Sequence, residues 1–252
     1  TWLRPGGPEL VYGPSASVLF RQMPAKSPRS VTPEAGSTSP LAFGYNGDGP
    51  QRLRFAEDEA RAVAVLLGGK ALAGPAGKRD ALFRQGPDAP YLHISCHGEF
   101  DPESPLESLL HLGAGETLTA HQVLEGLHLS CELVTLSACE SGLSRVRRGD
   151  ELMGLVRAFM VAGAPAVIAT LWRVDERSTR ILMERFYREV VAGAGFAQAL
   201  HAAQLFLRSL SQSEVASLLA GDAPAGETGE TGADRPFADP FYWAPFILVG
   251  AG

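Results

Sequence analysis

Two short stretches carry residues whose types could do covalent chemistry. "YLHISCHGEF" brings His97 to the end of an apolar run, and "VTLSACESG" brings Cys139 to the end of another. A thiol attacks as its thiolate, and an ordinary pKa of about 8.5 leaves only a small fraction ionised at neutral pH. A neighbouring imidazole can take that proton and later return it to a leaving amine. Gly98 follows the histidine and lets backbone come close to a substrate, while amides near Gly98 and Cys139 could stabilise an oxyanion. Cysteine, histidine and two tight turns are then sufficient for acyl transfer. A plainer reading stands beside this one. Cysteine is among the most buried residue types, so Cys139 taken alone reads as core. His93 shares a strand face with Ser95 and His97 and reads as a packed, hydrogen-bonded histidine. A zinc set of His93, Cys96, His97 and Cys131 fits no standard ligand spacing, so no metal is expected.

The elements that must position these residues alternate between strands and helices. "LAFGYNGDGP" reads as a short strand ending in a Gly/Asn/Asp turn. In "FAEDEARAVAVLLGG", Phe55, Glu59, Ala62, Val63, Leu66 and Leu67 recur at near-helical spacing, acids occupy the first turn, and a Gly pair ends the helix. "GGKALAGPAGKRD" is glycine-rich but fails the phosphate-loop spacing, because Leu72 stands where the first glycine belongs and Arg79 where Ser or Thr belongs. It reads as a turn before a helix over about 80–85. Thr119 can cap a helix in "TLTAHQVLEGLHL". "CELVTLSA" and "AVIATLW" are buried strands. "GDELMGLVRAFMVAGAP" is a helix that Gly163 and Pro165 end, and two more amphipathic helices follow. Residues 211–236 lack apolar periodicity and read as a mobile surface loop before a final strand in "DPFYWAPFILVG". Such alternation predicts an α/β fold with a mainly parallel sheet covered on both faces, and ligands in such sheets sit at the carboxyl ends of strands.

At 252 residues the chain can bury one sizeable core, with residues 1–40 as an extended lead-in packed on a domain spanning 41–252. A net charge of -6 provides no broad basic surface, which argues against nucleic acid or an anionic membrane as the partner. Three cysteines are an odd and low number, and with no apolar run approaching the roughly 18 residues of a membrane span the expected location is the cytoplasm. The chain begins at Thr1 rather than Met, so an upstream domain of a longer parent is expected.

Six blocks, in order, carry a resemblance. "HISCHGEF", "LTAHQVLEGLHL", "ELVTLSACESG", "GDELMGLVRAFMVAGAPAVIATLWRVDERST", "LMERFYREV" and "FYWAPFILVG" together resemble the CHAT domain, a caspase-like peptidase of the group that includes separases, metacaspases and gingipains. "YGPSASVL" near residue 10 is similar to the family's first segment. The resemblance implies a three-layer caspase-haemoglobinase-like sandwich, its mainly parallel central sheet flanked by helices, and a cysteine endopeptidase without a cofactor. His97 would be the catalytic histidine and Cys139 the nucleophile, with the amides of Gly98 and Cys139 forming the oxyanion site. Cys96 and Cys131 match no catalytic position. The family is typically bacterial, and the domain often follows helical repeats or a sensor module. A protein substrate and an activating sensor domain or partner protein, in defence or stress signalling, are implied.

For specificity, "LWRVDERST" offers Asp175 and Glu176, where related enzymes use a carboxylate to hold a basic side chain at P1, the residue before the scissile bond. A desolvated carboxylate selects Arg or Lys by charge and hydrogen bonding. Asp175 also suits the N-cap of the helix that follows it, and both roles stand open. Arg145, Arg147 and Arg148 lie just beyond Cys139 and form a candidate regulatory loop, self-cut or self-blocking if P1 is basic. Two other functions fit the residues: a silent caspase-like scaffold or interaction module, and a cysteine-dependent acyltransferase.

Overall fold

A computed structural model describes residues 11–12, 39–101, 103–140, 153–219 and 234–251. Among them run nine strands: β1 (Val11–Tyr12), β2 (Leu41–Gly44), β3 (Lys70–Ala73), β4 (Tyr91–Glu99), β5 (Leu109–His111), β6 (Thr117–Thr119), β7 (Leu133–Glu140), β8 (Ala166–Thr170) and β9 (Phe246–Gly250). The helices are α1 (Ala56–Leu67), α2 (Arg79–Gln85), α3 (Ala120–Gly126), α4 (Met153–Val161), α5 (Glu176–Val191), α6 (Phe196–Ser209), α7 (Gln212–Leu219) and α8 (Pro240–Trp243). The strands form one open sheet in the order β1-β9-β8-β7-β4-β2-β3, with β5 joined to β4 and β6 to β5. From β3 through β8 every neighbour along that path is parallel, and β9 runs antiparallel to β8.

Two apolar clusters make the fold three-layered. One face of the sheet is covered by α2, α3 and α4 through Leu82, Val123, Val156 and Phe159. The other is covered by α1, α5 and α6 through Val63, Phe186, Leu200 and Leu207. Each fully buried Leu or Phe side chain contributes about 1.5–3 kcal/mol, so two such faces hold the sheet rigid beneath its rim. The chain passes from β2 through α1 to edge strand β3 on one side and from β4 through α3 to β7 on the other, and α1 and α3 lie on opposite faces. The connections leaving β2 and β4 therefore diverge, which opens a crevice at the carboxyl ends of those strands.

Local chemistry explains several element ends. Thr119 and Gln122 form a reciprocal capping box at the start of α3. Gly68 ends α1 in the left-handed region at φ 63°. The buried stripe of α1 is Ala56, Glu59, Ala60, Val63, Ala64 and Leu67, so small alanines rather than Ala62 and Leu66 face the sheet. Two expectations need correction. The stretch expected as a loop over 211–236 contains α7, whose Val215 and Leu219 are buried in the core, because apolar residues four apart suffice for a short helix on an existing surface. The glycine-rich piece after α1 contains β3, a four-residue edge strand that pairs with β2. The rest of the expected loop, 220–233, and most of the 1–40 lead-in lie outside the described residues.

Candidate active site

His97 and Cys139 come together through backbone register alone. β4 and β7 are parallel neighbours, and their Cα partners run His93 with Thr135, Ser95 with Ser137, and His97 with Cys139. Adjacent strands lie about 4.8 Å apart, so the two candidate residues occupy one row at the same rim of the sheet. Gly98 is next, paired with Glu140 on one side and Leu110 on the other. A Cβ at Gly98 would stand 3.3 Å from both Ala138 Cβ and the Phe100 ring, so packing alone favours glycine there.

The surroundings of His97 define its chemistry. Its Nε2 lies 2.8 Å from the carbonyl oxygen of Gln51. A carbonyl only accepts, so Nε2 carries the proton and Nδ1 of the neutral ring carries the lone pair. Nδ1 is buried and has no hydrogen-bond partner among the described residues. Burial lowers the imidazole pKa from its ordinary 6.5, with the Gln51 carbonyl opposing that shift. A ring held this way is neutral at physiological pH, with its basic nitrogen unspent. Two more contacts set the ring. His111 packs edge-on against it at 6.3 Å between centroids and bonds Glu99 through Nε2 at 2.7 Å. Gly47, at φ 78°, brings its backbone so close that a Cβ would lie 3.1 Å from His97 Cδ2.

The segment carrying Gln51 and Gly47 is pinned at several points. Asn46 accepts the Glu57 amide through Oδ1 at 3.0 Å, and its carbonyl accepts the Leu53 amide at 2.7 Å. Glu176 Oε2 accepts the amides of Arg54 at 2.5 Å and Phe55 at 3.2 Å, tying this segment to the start of α5. Asp175 caps α5: its Oδ1 accepts the Ser178 amide at 2.9 Å. Arg145, Arg147 and Arg148 lie outside the described residues.

The zinc set divides between layers. Cys96 and Cys131 are buried in the cluster beneath α2 to α4. Burial pushes the Cys131 thiol up to about 12. His93 faces the other layer, where Nε2 meets Glu59 Oε1 at 3.0 Å and Nδ1 lies 3.3 Å from the Tyr187 hydroxyl.

Sequence profiles place these elements in a known group: the CHAT domain profile matches residues 7–251. The chain belongs to the CHAT domain family. Tetratricopeptide repeat protein 28 of Mus musculus and of Homo sapiens are each 29% identical to this CHAT domain over 147 residues, which is 58% of the chain but 5% of either relative. Among solved structures, the Arg-specific cysteine proteinase gingipain R aligns with a TM-score of 0.45 at 12% identity, over 93% of this chain and 51% of that one. The complex of Porphyromonas gingivalis RgpB pro- and mature domains aligns at 0.46 and 13%, over 86% and 47%. The CHAT domain thus spans about half of those structures and a small fraction of the curated relatives.

The CHAT domain also has site residues that sequence reasoning did not single out. A small cleft, with room for about one water molecule, is lined by Leu53, Phe55, Glu59, Ser95, Ser137 and Glu176, among others. Gln51 left no signal, because its contribution is a backbone carbonyl. Ser137 was hidden inside a strand. Glu59 did leave one, since a glutamate stood on the apolar stripe of its helix.

Proposed function

We propose that this CHAT domain is a cysteine endopeptidase in which Cys139 is the nucleophile and His97 the general acid-base. The observation that carries the reading is the pairing of His97 with Cys139 in one row of adjacent parallel strands. The tautomer imposed by Gln51 supports it. His97 Nδ1 takes the thiol proton, and the thiolate adds to the substrate carbonyl. The amides of Gly98 and Cys139 stabilise the oxyanion. The Nδ1 proton then goes to the leaving amine as the peptide bond breaks, and a water activated by the same nitrogen hydrolyses the thioester. A basic P1 residue is favoured, because the carboxylate of Glu176 lies beneath the row.

The enzyme works in the cytoplasm on protein substrates, in bacterial defence or stress signalling, switched on by an attached sensor or a partner protein. The tetratricopeptide repeats in the names of its relatives favour a longer parent chain. No described helix is long and apolar enough to cross a membrane. A thiol-directed activity probe should label Cys139 and leave Cys96 and Cys131 unlabelled, and a peptide library should be cut. Labelling without any cleavage would favour the silent scaffold or an acyltransferase.

Glu176 serves this reading as a positioning residue, since it anchors the segment whose Gln51 carbonyl orients His97. Glu176→Ala is expected to lower kcat about ten- to a hundredfold, the cost of a misplaced base. Glu176→Gln keeps an amide-accepting oxygen and should restore most of kcat. Equal loss in both variants would refute the anchoring role.

A further inference from the structure

The row that carries His97 and Cys139 has a third member. β4 and β5 pair Gly98 with Leu110 and Glu99 with Leu109, and the same antiparallel register carried back one step sets His111 opposite His97. Directly opposite residues share a face of the sheet, so Cys139 on β7, His97 on β4 and His111 on β5 stand side by side. The two imidazoles meet edge-on, with 6.3 Å between centroids and 87° between planes. Glu99, two residues beyond His97 on the same strand, lies on that face as well, and its Oε1 accepts the His111 Nε2 proton at 2.7 Å. The fold asks little of this pair. The two side chains are 34% and 57% exposed, and exposed ion pairs add little to stability. Leu110, fully buried in the cluster beneath α2 to α4, holds β5 in place instead.

We propose that His111, tethered by Glu99, is a positioning residue for the general base: it braces the His97 ring and so fixes where Nδ1 points. The inference rests on the cysteine-peptidase reading and deepens it. A ring held along one edge can still tilt about that edge. The Gln51 carbonyl anchors His97 at Nε2, and the Gly47 backbone closes in on the adjacent Cδ2. Both contacts fall on the Nε2–Cδ2 edge, so the tilt that carries Nδ1 toward or away from β7 needs a further support. A second ring at right angles supplies one, because edge-to-face pairs have a preferred geometry. His111 is itself fixed at Nε2 by Glu99, so it holds His97 rather than following it. A base misplaced by about 1 Å can cost about two orders of magnitude in rate, so the support acts on the chemical step.

The test uses the full chain and the library peptide that the wild type cuts best. His111→Ala should lower kcat at least about tenfold with KM within about twofold, because binding the peptide does not need the brace. His111→Phe keeps a ring against His97 without the bond to Glu99, and should bring kcat back to within about threefold of the wild type. Glu99→Ala frees the His111 ring and should lower kcat at least about threefold, within the range an exposed pair can supply. Glu99→Gln still accepts the Nε2 proton and should recover most of that loss. Melting temperatures should stay near the wild-type value in all four variants. An unchanged kcat in either alanine variant, a loss carried by KM, or a loss that follows a fall in melting temperature overturns the inference and leaves the peptidase reading standing. So does a failure of His111→Phe or Glu99→Gln to recover kcat. Labelling of Cys139 with no library peptide cut overturns the peptidase reading and the inference with it.

Discussion

Replacing either Cys139 or His97 by alanine is expected to lower peptide cleavage by at least about 10³-fold, with little change in thermal stability. The two residues act as one unit, so the double variant should be no worse than either single one. The size of the effect follows from ionisation. A thiol near its ordinary pKa is mostly protonated at neutral pH, and only an adjacent base makes the thiolate available to attack. His97 suits that role because its Nε2 proton is held by Gln51, leaving Nδ1 to accept another. The pH dependence has a definite sign. Burial lowers the His97 pKa below 6.5, and the imidazole is a base only above its own pKa. The acid limb of kcat/KM should therefore lie below 6.5, and substitution of Gln51 by proline, which alters the loop carrying the carbonyl, should move it. Full cleavage by Cys139→Ala would end the peptidase reading. Fold retention is expected because His97 sits at the rim, where it makes one hydrogen bond.

Glu59→Ala should destabilise the fold by about 1–3 kcal/mol, the cost of leaving a buried polar group without its hydrogen-bond partner. His93 is fully buried, and Glu59 is its partner at 3.0 Å. Tyr187, whose phenol burial keeps protonated, donates to Thr135 Oγ1 at 2.8 Å. Its single proton is thus committed, and His93 Nδ1 must donate to the phenol oxygen. Nε2 then has Glu59 Oε1 as its partner. Removing the carboxylate leaves His93 Nε2 without its hydrogen-bond partner in a buried site. Urea denaturation measures the loss. Glu59→Gln keeps an acceptor for Nε2 and should recover at least half of it. A loss below about 1 kcal/mol for Glu59→Ala would mean that the pair is a surface-like contact.

The two chemical residues are legible in the sequence because each ends a strand-like run and is followed by a small-residue turn. Helices are legible where the stripe is strong, as in α4, α5 and α6, since periodicity is a property of the helix itself. Short edge elements are not. β1, β3, β5 and β6 have two to four residues each, too few for alternation to register, and they exist because a neighbouring strand offers hydrogen bonds. The stripe of α7 is likewise too short to stand out in a polar stretch.

The sequence by itself determined the order of the longer strands and helices, the two layers of helices implied by that order, and the types of residue at the strand ends. It determined His93 as a packed histidine but not its partner. Tertiary structure alone decided that β4 and β7 are neighbours in the register that pairs His97 with Cys139, that Asp175 caps a helix while Glu176 clamps a loop, and that Ser137 lines a cleft. The reason is physical. Periodicity, caps and turns are set by residues within a few positions of one another. Hydrogen bonds to a distant carbonyl, and burial of a hydroxyl without a partner, depend on which elements the hydrophobic layers bring together.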